Sequence, residues 1–535
     1  MAVPLLLAIA LLSQPAPDTA VVCPAVLRAA LAPWLEYRKG QGHQIEIVPA
    51  ELEAEAIRGR IRRLAEGGRL RFVVLVGDAE LAMHFDPAVR SRCTPVHWSK
   101  AEVIRLWESP PHIGTDNWYA DLDDDLVPEL AVGRLTADSP GELGRIIEKI
   151  LAYERSDDFG PWRQRLNFVA GVGGFGRVAD AVLETATKRL LTRDVPPDYR
   201  LSMTYASWPS PYCPDPAVFR QTTLARLNEG CWFWVYLGHG YHLGLDWVRA
   251  PDGDYPILDM PDLARLDCRH GSPIAVFLAC YTGAFDAWED CLAEEMLRRP
   301  GGPVAVLAGS RVTMPYGMTV LGIGLMDAVF RRRSPTLGEA VLHAKRRLVQ
   351  PSAEAGPERA VLDLMALAIS PAPTKLHLER DEHVQLFNLL GDPLLRLRYP
   401  HPITLELPAA AEPGGRIPVA GSCPLDGRVT VELALSPDEP GGEPPPRATY
   451  PDLPDRRVEF DDVYRRANEG RLAAVDVPCS GGRFQADLPV PEAAQGTCRV
   501  RVFIEGPNGF AQGTGKILLR PAASLAEKPA AAVAR

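Results

Sequence analysis

Cysteine is scarce in this chain, and basic clusters and long apolar runs are missing. Its 535 residues include 10 cysteines, and no two of them form a CxxC pair. This excludes a disulfide-dense scaffold and gives no support to a zinc ribbon or a thioredoxin-type centre. No block of Lys and Arg stands out in a chain of net charge −10, so we expect no nucleic-acid partner. No stretch after the N-terminus reaches the roughly 18 apolar residues of a membrane helix, so we expect no transmembrane segment.

The N-terminus is apolar over a short stretch only. The run Val3–Leu12 is mostly apolar and is followed by small residues and proline. This length is typical of a secretory signal peptide and too short to cross a bilayer. We therefore predict a signal peptide over residues 1–19, cut near Ala16 or Ala20, and a secreted or cell-envelope protein. A first buried strand is the alternative, because no Lys or Arg precedes the run.

The rest of the chain divides by its pattern of strands and helices. Residues 20–158 and 159–400 each alternate strand and helix signals, as in "HQIEIVP" followed by "ELEAEAIRGRIRRLAEGG". Such alternation predicts βαβ units and a parallel sheet in two α/β subdomains. Residues 401–521 carry short alternating strands between Gly and Pro, which is typical of a β-sandwich of the immunoglobulin type. We expect a long exposed loop at the Pro-rich residues 436–457 and a flexible tail over 522–535.

Two reactive side chains stand at the ends of apolar strands. The run "WFWVYLG" leads to His239, and "PIAVFLA" leads to Cys280, 41 residues later. That separation is enough for one crossover connection, so the two strands can be neighbours in the sheet. Ligands of an open parallel sheet bind beyond the carboxyl ends of its strands. We therefore expect the thiol and the imidazole to meet in one crevice.

This pairing predicts nucleophilic catalysis by a thiol. An imidazole can take the proton of Cys280, and the thiolate can attack a peptide carbonyl. Gly240 has no side chain, so its N–H can approach the carbonyl oxygen, and the Cys280 N–H can be the second donor of an oxyanion hole. A cysteine or a histidine alone at such a place is most often a packing residue. The two together favour a catalytic dyad of Cys280 and His239.

Four segments, in this order, resemble one family of peptidases. They are "TDNWYADLDDDLVPELAVGRL" at 115–135, "GHG" at 238–240, "ACYTGAFD" at 279–286 and "LFNLLGDPLLRL" at 386–397. The "GHG" and "AC" pairs resemble caspase-like cysteine peptidases, and the whole set resembles the gingipain family, family C25. The resemblance covers residues 20–400. It implies a caspase-like α/β core in two subdomains, followed by a sandwich, and a cysteine endopeptidase that hydrolyses protein or peptide substrates through a thioester.

The resemblance also implies roles for individual residues. His239 is the general base and Cys280 the nucleophile, and Asp116 is the candidate for an acid that orients His239. Asp125 stands at the point comparable to the aspartate that binds a basic P1 side chain in arginine-specific gingipains. Trp247 is the second candidate for contact with the substrate.

The acidic segment has a second interpretation. Its carboxylates alternate along the chain as in calcium loops, although the glycine and the spacing of an EF-hand are absent. A structural Ca²⁺ site and a solvated acidic turn fit this pattern equally well, and catalysis itself requires no cofactor. The candidate ligands are Asp121, Asp123, Asp125 and Glu129.

Two other functions fit parts of the sequence. His239, His242 and Asp246 lie within eight residues and offer the donors that zinc accepts. Against a zinc hydrolase, no HExxH helix frames them, and Gly244 would interrupt a helix. An exported binding or assembly protein with a degenerate peptidase fold is the non-catalytic alternative. The intact pair of His239 and Cys280 favours the peptidase.

Overall fold

A computed structural model describes residues 16–172, 193–268, 270–370, 372–435 and 444–520. Most of the predicted signal peptide and all of the predicted tail lie outside the described residues. The first strand, β1 (Thr19–Cys23), is buried along its whole length. A cut near Ala20 would therefore remove part of a sheet strand, whereas a cut near Ala16 would leave that strand intact.

The described residues before 400 contain one large sheet and three two-stranded hairpins. The order across the large sheet is β2-β1-β3-β6-β16-β15-β14-β9-β7-β8, and the hairpins are β4–β5, β10–β11 and β12–β13. In chain order the strands are β1, β2 Ile45–Pro49, β3 Phe72–Val76, β4 His97–Lys100, β5 His112–Thr115, β6 Ala131–Leu135, β7 Arg165–Ala170, β8 Arg200–Tyr205, β9 Phe233–Leu237, β10 Gly240–Tyr241, β11 Gly244–Leu245, β12 Trp247–Ala250, β13 Gly253–Pro256, β14 Ile274–Leu278, β15 Ala305–Gly309 and β16 Phe387–Leu390.

The large sheet consists of two parallel halves. Strands β2, β1, β3, β6 and β16 run in one direction, and β15, β14, β9, β7 and β8 run in the other. The halves meet at the antiparallel pair β15–β16. Strands covered on both faces are apolar throughout, and both β3 "FVVLV" and β14 "IAVFL" are buried at every position. The predicted α/β fold is confirmed, with the addition that one continuous sheet joins its two parts.

Helices pack on the faces of the sheet. Side chains of β1 alternate between two cores, since Val21 and Cys23 lie in one hydrophobic cluster and Ala20 and Val22 in another. None of the helices within the described ranges is long and apolar enough to cross a membrane. Those of seven or more residues are α1 Arg28–Gly40, α2 Ala54–Ala65, α3 Pro140–Arg155, α4 Phe219–Asn228, α5 Leu292–Arg298, α6 Pro315–Met326, α7 Leu337–Val349, α8 Pro357–Ile369, α9 Leu376–Leu386 and α10 Leu453–Asn468.

The described residues of 401–435 and 444–520 form the predicted β-sandwich. One sheet has the order β17-β25-β24-β21-β22 with β19 beside β25, and the other has the order β18-β20-β23. Apolar side chains of both sheets share one core, in which Val419 and Leu488 meet Val431 and Val502. The immunoglobulin type of this sandwich stays a prediction. The strands are β17 His401–Pro402, β18 Thr404–Glu406, β19 Ala410–Ala411, β20 Arg416–Ser422, β21 Gly427–Leu435, β22 Arg471–Cys479, β23 Arg483–Pro489, β24 Gly496–Gly506 and β25 Gly509–Leu519.

The Pro-rich connection between β21 and β22 is in part a helix. We expected an exposed loop over residues 436–457, of which 436–443 lie outside the described residues. The expectation is wrong from Leu453 onward, where α10 begins with a proline in its first turn, a position that proline favours. Phe460 of this helix is fully buried in the core of the large α/β unit. Helix α10, which lies between two strands of the sandwich, thus packs against the α/β core.

Candidate active site

The strands that lead to His239 and Cys280 are neighbours in the sheet, as expected. Strands β9 and β14 pair in parallel, with Leu237 opposite Leu278. The Gly238 N–H continues this ladder and donates to the Leu278 carbonyl at 3.3 Å. His239 and Cys280 each follow two residues after this last pair. Adjacent strands are about 4.8 Å apart, so both side chains start from the same edge of the sheet.

Gly240 lies directly against the backbone that carries the thiol. A Cβ at this position would be 2.7 Å from the Cys280 carbonyl oxygen, 2.8 Å from Thr282 Cγ2 and 2.9 Å from Ala279 Cβ. Such distances are too short for any side chain, so only glycine fits. Because residue 240 has no side chain, the backbone segment that follows His239 can pack directly against the backbone segment of Cys280.

Tyr236 holds the backbone of His239 through a hydrogen bond. Its hydroxyl donates to the His239 carbonyl oxygen at 2.7 Å. Burial, followed by the nearby Asp246 carboxylate, raises the pKa of Tyr236 well above its ordinary value. The phenol therefore stays protonated and remains a donor. The position of His239 is fixed by a buried side chain, while the imidazole itself is exposed.

The thiol of Cys280 is half-buried and faces the loop between β15 and α6. The Thr313 N–H donates to Cys280 Sγ at 3.3 Å, and the carbonyl and hydroxyl oxygens of Thr313 both lie 3.6 Å from the sulfur. As a thiol, Cys280 can donate to the Thr313 carbonyl. As a thiolate, it can accept from the Thr313 N–H, and the start of helix α6 two residues later favours negative charge there.

A buried histidine holds the loop that carries Thr313. The Met314 N–H donates to His383 Nε2 at 2.8 Å, and His383 Nδ1 lies 2.6 Å from the Glu379 carbonyl oxygen. Burial lowers the pKa of His383 to about 4, so the ring is neutral, with its proton on Nδ1. The Gly317 N–H donates to Glu379 Oε1 at 3.2 Å, and burial raises the pKa of this carboxyl to about 7. Helix α9 thus positions the loop beside the thiol.

The residue after Cys280 has an unusual backbone. Tyr281 has φ +57°, a left-handed conformation that costs a residue with a side chain about 1–2 kcal/mol. Its N–H donates to the Arg311 carbonyl at 3.1 Å. The Arg311 side chain in turn binds the buried carboxylate of Asp286 through both terminal nitrogens. These contacts of Arg311 with Tyr281 and Asp286 hold the turn that follows Cys280 at the end of β14.

The carboxylate of Asp116 is committed to another partner. Its two oxygens accept from Arg134 Nη2 at 2.7 Å and from Arg134 Nε at 2.8 Å, and both side chains are buried. Arg134 lies in β6, which β16, β15 and β14 separate from β9. Four strand spacings of about 4.8 Å place β6 roughly 19 Å from β9, and the Asp116 N–H donates to Asn388 of β16 at 2.9 Å, which three strand spacings separate from β9. We therefore correct the expectation that Asp116 orients His239, because its carboxylate serves as the counter-ion of a buried arginine.

The two candidate substrate contacts lie in different surroundings. Asp125 is exposed, and its Oδ1 accepts from the Val127 N–H at 2.8 Å. Trp247 opens β12, shortly after the hairpin that begins at Gly240, and is 44% exposed. The proximity of Trp247 to His239 along the chain fits its predicted role, and both roles stay predictions.

Three of the four predicted calcium ligands lie together. Oxygens of Asp121, Asp123 and Glu129 approach within 4.8 Å of one another, whereas Asp125 is outside this group. Burial raises the pKa of Glu129, and the carboxylates of its acidic neighbours raise it further. The residues of the zinc alternative form no such group: the metal-compatible clusters of the described ranges contain none of His239, His242 and Asp246.

Two residues of the site carried no recognisable signal in the sequence. Thr313 is 33 residues after Cys280 and contacts it only because β15 lies beside β14. Pro315, which starts helix α6, marks the loop as a strand-to-helix turn but not as part of the site. Tyr236 reads as one more apolar residue of a buried strand, and its hydrogen bond to His239 depends on the turn that follows.

Comparison with known proteins gives one family and one fold. A model of the family described as peptidase family C25 matches residues 12–398. Lys-gingipain of Porphyromonas gingivalis is 24% identical over 292 residues, which are 52% of this chain and 14% of that protein. A second form, Lys-gingipain HG66, is 23% identical over 292 residues. The chain thus matches a small part of the length of these curated relatives.

Solved structures of gingipains match nearly the whole chain. The crystal structure of the Arg-specific cysteine proteinase gingipain R aligns with 95% of this chain and 99% of its own, with a TM-score of 0.54 and 16% identity. The complex of the pro- and mature domains of Porphyromonas gingivalis RgpB aligns with 94% of this chain and 100% of its own, with a TM-score of 0.52 and 16% identity. At these identities the likeness establishes the fold alone.

Proposed function

Because the chain belongs to peptidase family C25, we propose that it is a cysteine endopeptidase in which Cys280 is the nucleophile and His239 the general base. The observation that carries this proposal is the contact of Gly240 with the backbone of residues 279–282. That contact supports a notch shared by the two strand ends. The half-buried thiol and the exposed imidazole are both open to a substrate.

The reaction follows from the groups at the strand ends. His239 takes the proton of Cys280, and the thiolate attacks the carbonyl carbon of the scissile peptide bond. The N–H groups of Gly240 and Cys280 receive the negative oxygen of the tetrahedral intermediate. His239 then gives its proton to the leaving amine, and a thioester remains on Cys280. Water, deprotonated by His239, hydrolyses the thioester and restores the thiol.

The neighbours of the dyad keep it in place through this cycle. Thr313 donates its N–H to the sulfur whenever the thiolate forms. Tyr236 fixes the carbonyl of His239 and thereby the start of the loop that carries the imidazole. Asp125 and Trp247 remain the candidates for contact with the substrate side chains. Export of the protein, which the apolar N-terminal run favours, would deliver the peptidase to extracellular or envelope substrates.

Alanine variants of the dyad test the proposal. Cys280→Ala and His239→Ala should each reduce hydrolysis of a denatured protein substrate by several orders of magnitude, with unchanged circular dichroism. Cys423→Ala and His270→Ala are matched controls, because Cys423 is also half-buried and His270 is also exposed, and both lie outside the proposed site. Hydrolysis that persists in both dyad variants would refute the peptidase.

A chelator separates the thiol mechanism from the zinc alternative. Removal of zinc, with Ca²⁺ added back, should leave the hydrolysis rate unchanged, whereas iodoacetamide should abolish it. His242→Ala should retain activity under the thiol mechanism and lose it if His242 is a zinc ligand. A protein that never hydrolyses a peptide, in any of these conditions, would favour the non-catalytic alternative.

We also propose that the acidic group of Asp121, Asp123 and Glu129 binds a structural Ca²⁺. The three carboxylates converge. Burial, and after it the neighbouring carboxylates, raises the pKa of Glu129, and a divalent cation would offset the repulsion among these carboxylates. Millimolar Ca²⁺ should raise the thermal midpoint of the wild type and not that of Asp123→Asn. The exposed Asp86→Asn serves as the control. An unchanged wild-type midpoint would identify the segment as a solvated acidic turn.

A further inference from the structure

Two aromatic rings lie stacked on the surface near the segment that follows Cys280. Phe85 is 74% exposed and Trp288 is 63% exposed. Their ring centroids are 5.9 Å apart and their planes differ by 9°. Burial of such rings is worth more than that of most side chains, so their joint exposure indicates a surface that binds something.

Trp288 is attached to the loop that carries His239. It lies between Cys280 and helix α5, next to Glu289. The Glu289 carbonyl accepts from His242 Nε2 at 3.0 Å, and the Leu292 N–H donates to the His242 carbonyl at 2.9 Å. His242 is three residues after His239. The segment that carries Trp288 is therefore hydrogen-bonded to the loop that follows His239.

Phe85 is held beside Trp288 by a second set of contacts. The Leu81 N–H, at the start of the turn that ends at Phe85, donates to the Ala287 carbonyl at 3.0 Å. His84 contacts the ring of Trp98 with centroids 5.1 Å apart, and Trp98 Nε1 donates to Asp286 at 2.8 Å. The segments that carry the two rings are thus held together before any ligand arrives, which lowers the entropy cost of binding.

We propose that Phe85 and Trp288 form a subsite for a large apolar side chain of the peptide substrate, at a position away from the scissile bond. This inference rests on the proposed function. A polypeptide bound across the dyad is the occupant we favour, because the segment of Trp288 is hydrogen-bonded to the loop after His239, and that loop exposes further apolar side chains. Tyr241 is 53% exposed, Leu243 is 41% exposed and Trp247 is 44% exposed, all within eight residues of His239.

Paired peptides test the subsite. A fluorogenic peptide that the wild type cleaves is prepared with Phe, Leu or Gly at each of the four positions on either side of the scissile bond. At one of these positions, the wild type should cleave the Phe and Leu peptides with a kcat/KM about 10-fold above that of the Gly peptide. Trp288→Ala and Phe85→Ala should each lose this preference and still cleave the Gly peptide. Val458→Ala, at a residue 73% exposed on helix α10, is the matched control.

The outcomes separate the subsite from the peptidase itself. If no peptide is cleaved in a manner that Cys280→Ala abolishes, the proposed function fails and the subsite fails with it. If cleavage is normal but both ring variants keep the wild-type preference at every position, the subsite alone is overturned. A change of sedimentation behaviour in Trp288→Ala without a change of preference would also overturn it, because the rings would then bind a second copy of the chain.

An independent observation concerns two cysteines of the sandwich. The sulfurs of Cys423 and Cys479 are 3.9 Å apart, and both thiols donate to the Leu425 carbonyl, at 3.1 Å and 3.2 Å. Cys423 follows β20 in the three-stranded sheet, and Cys479 ends β22 in the other sheet. A bond between them would tie the two sheets together at one end of the sandwich.

We infer that Cys423 and Cys479 are the site of an oxidative cross-link between the sheets. The half-buried thiolate of Cys423 attacks a small disulfide such as oxidised glutathione, and Cys479 then attacks the mixed disulfide. Two thiols lose two protons and two electrons to form one S–S bond, and the small disulfide is reduced to two thiols. The reaction requires only a side-chain rotation, because the sulfurs are already in contact.

Peptide mapping tests the cross-link. After exposure to oxidised glutathione, digestion should yield one linked peptide that joins Cys423 to Cys479, and the thermal midpoint of the sandwich should rise by several degrees. Cys423→Ser should abolish both changes, whereas Cys498→Ser, at a buried cysteine of the same sandwich, should keep the linked peptide. Complete alkylation of both cysteines after the oxidation step would overturn the inference.

Discussion

At the scale of single residues, the proposed dyad depends on the missing side chain at position 240. The chain of His239 reaches the Cys280 carbonyl only because Gly240 has no Cβ. Tyr236 and Thr313 then fix the two reactive residues from opposite sides, one through the His239 carbonyl and one through the sulfur. The geometry of the notch therefore depends on the close backbone contact at Gly240 and on two hydrogen bonds.

Gly240→Ala tests this dependence. The new methyl group would overlap the Cys280 carbonyl oxygen and Ala279 Cβ, so the two strand ends must separate. Since a shift of about 1 Å can cost on the order of 100-fold in rate, we expect a loss of that size in kcat/KM with the fold retained. Gly144→Ala in helix α3 is the control, because a Cβ there meets nothing within 4 Å. Full activity in Gly240→Ala would contradict the close contact.

The common sheet edge of His239 and Cys280 was predictable from the sequence, and the contacts that support these two residues were not. His239 and Cys280 each follow an apolar strand, which fixes the edge of the sheet at which they stand. Asp116 was misassigned because its partner Arg134 lies 18 residues away in a strand whose side-chain direction the sequence pattern does not reveal. Thr313 depends on the neighbour relation of two strands, which is a property of the whole sheet.

At the scale of elements, helix α3 binds the end of helix α5 through a buried lysine. Lys149 Nζ donates to the carbonyl of Leu297 at 2.5 Å and to that of Arg299 at 2.8 Å. These carbonyls belong to the last turn of α5 and the residue after it, where positive charge is favoured. Burial nevertheless lowers the pKa of Lys149 to about 7. The protonation state of Lys149 in this contact therefore changes near neutral pH.

The pH dependence of stability tests this contact. With a pKa of about 7 in the folded protein and about 10.4 in the unfolded chain, the unfolded state binds more protons in this interval. The free energy of unfolding should therefore rise with pH from 7 to 10. Lys149→Met should reduce that slope by about 1.4 kcal/mol per pH unit, and the exposed Lys39→Met should not. Urea titrations at several pH values measure the slopes, and equal slopes would contradict a depressed pKa.

Local sequence did not reveal the direction of β16 or the presence of helix α10. The direction of β16 is set by its antiparallel pairing with β15, and nothing within "FNLL" encodes that partner. Helix α10 was hidden by the prolines before it, although a proline in the first turn is itself a signal for a helix start. Strands buried on both faces, such as β3 and β14, were evident because they are apolar at every position.

At the scale of the whole molecule, helix α10 joins the sandwich to the α/β core. Arg456 forms an ion pair with Asp215 at 3.1 Å, and the Tyr464 hydroxyl hydrogen-bonds the Thr204 hydroxyl at 2.7 Å. Asn468 accepts from the Met203 N–H at 2.7 Å and donates to the Met203 carbonyl at 3.0 Å. It thereby occupies the open side of β8, the edge strand of the large sheet. The helix both docks the sandwich and covers an exposed edge.

Asn468→Ala tests this coupling. The change leaves an N–H and a carbonyl of the edge strand without their partner, which should lower the free energy of unfolding by about 1–3 kcal/mol. Asp462→Ala on the exposed side of the same helix should have little effect. Thermal unfolding of the full chain compares the two. Equal midpoints would show that the sandwich docks without help from Asn468.

The most direct test of the proposed mechanism is the alkylation of the thiol during turnover. Wild-type protein is treated with iodoacetamide, and at intervals the modified fraction of Cys280 is measured by peptide mapping alongside the rate of peptide hydrolysis. The proposed dyad predicts that activity falls in proportion to the alkylation of Cys280 and that His239→Ala slows the alkylation. Undiminished hydrolysis after complete alkylation of Cys280 would contradict it.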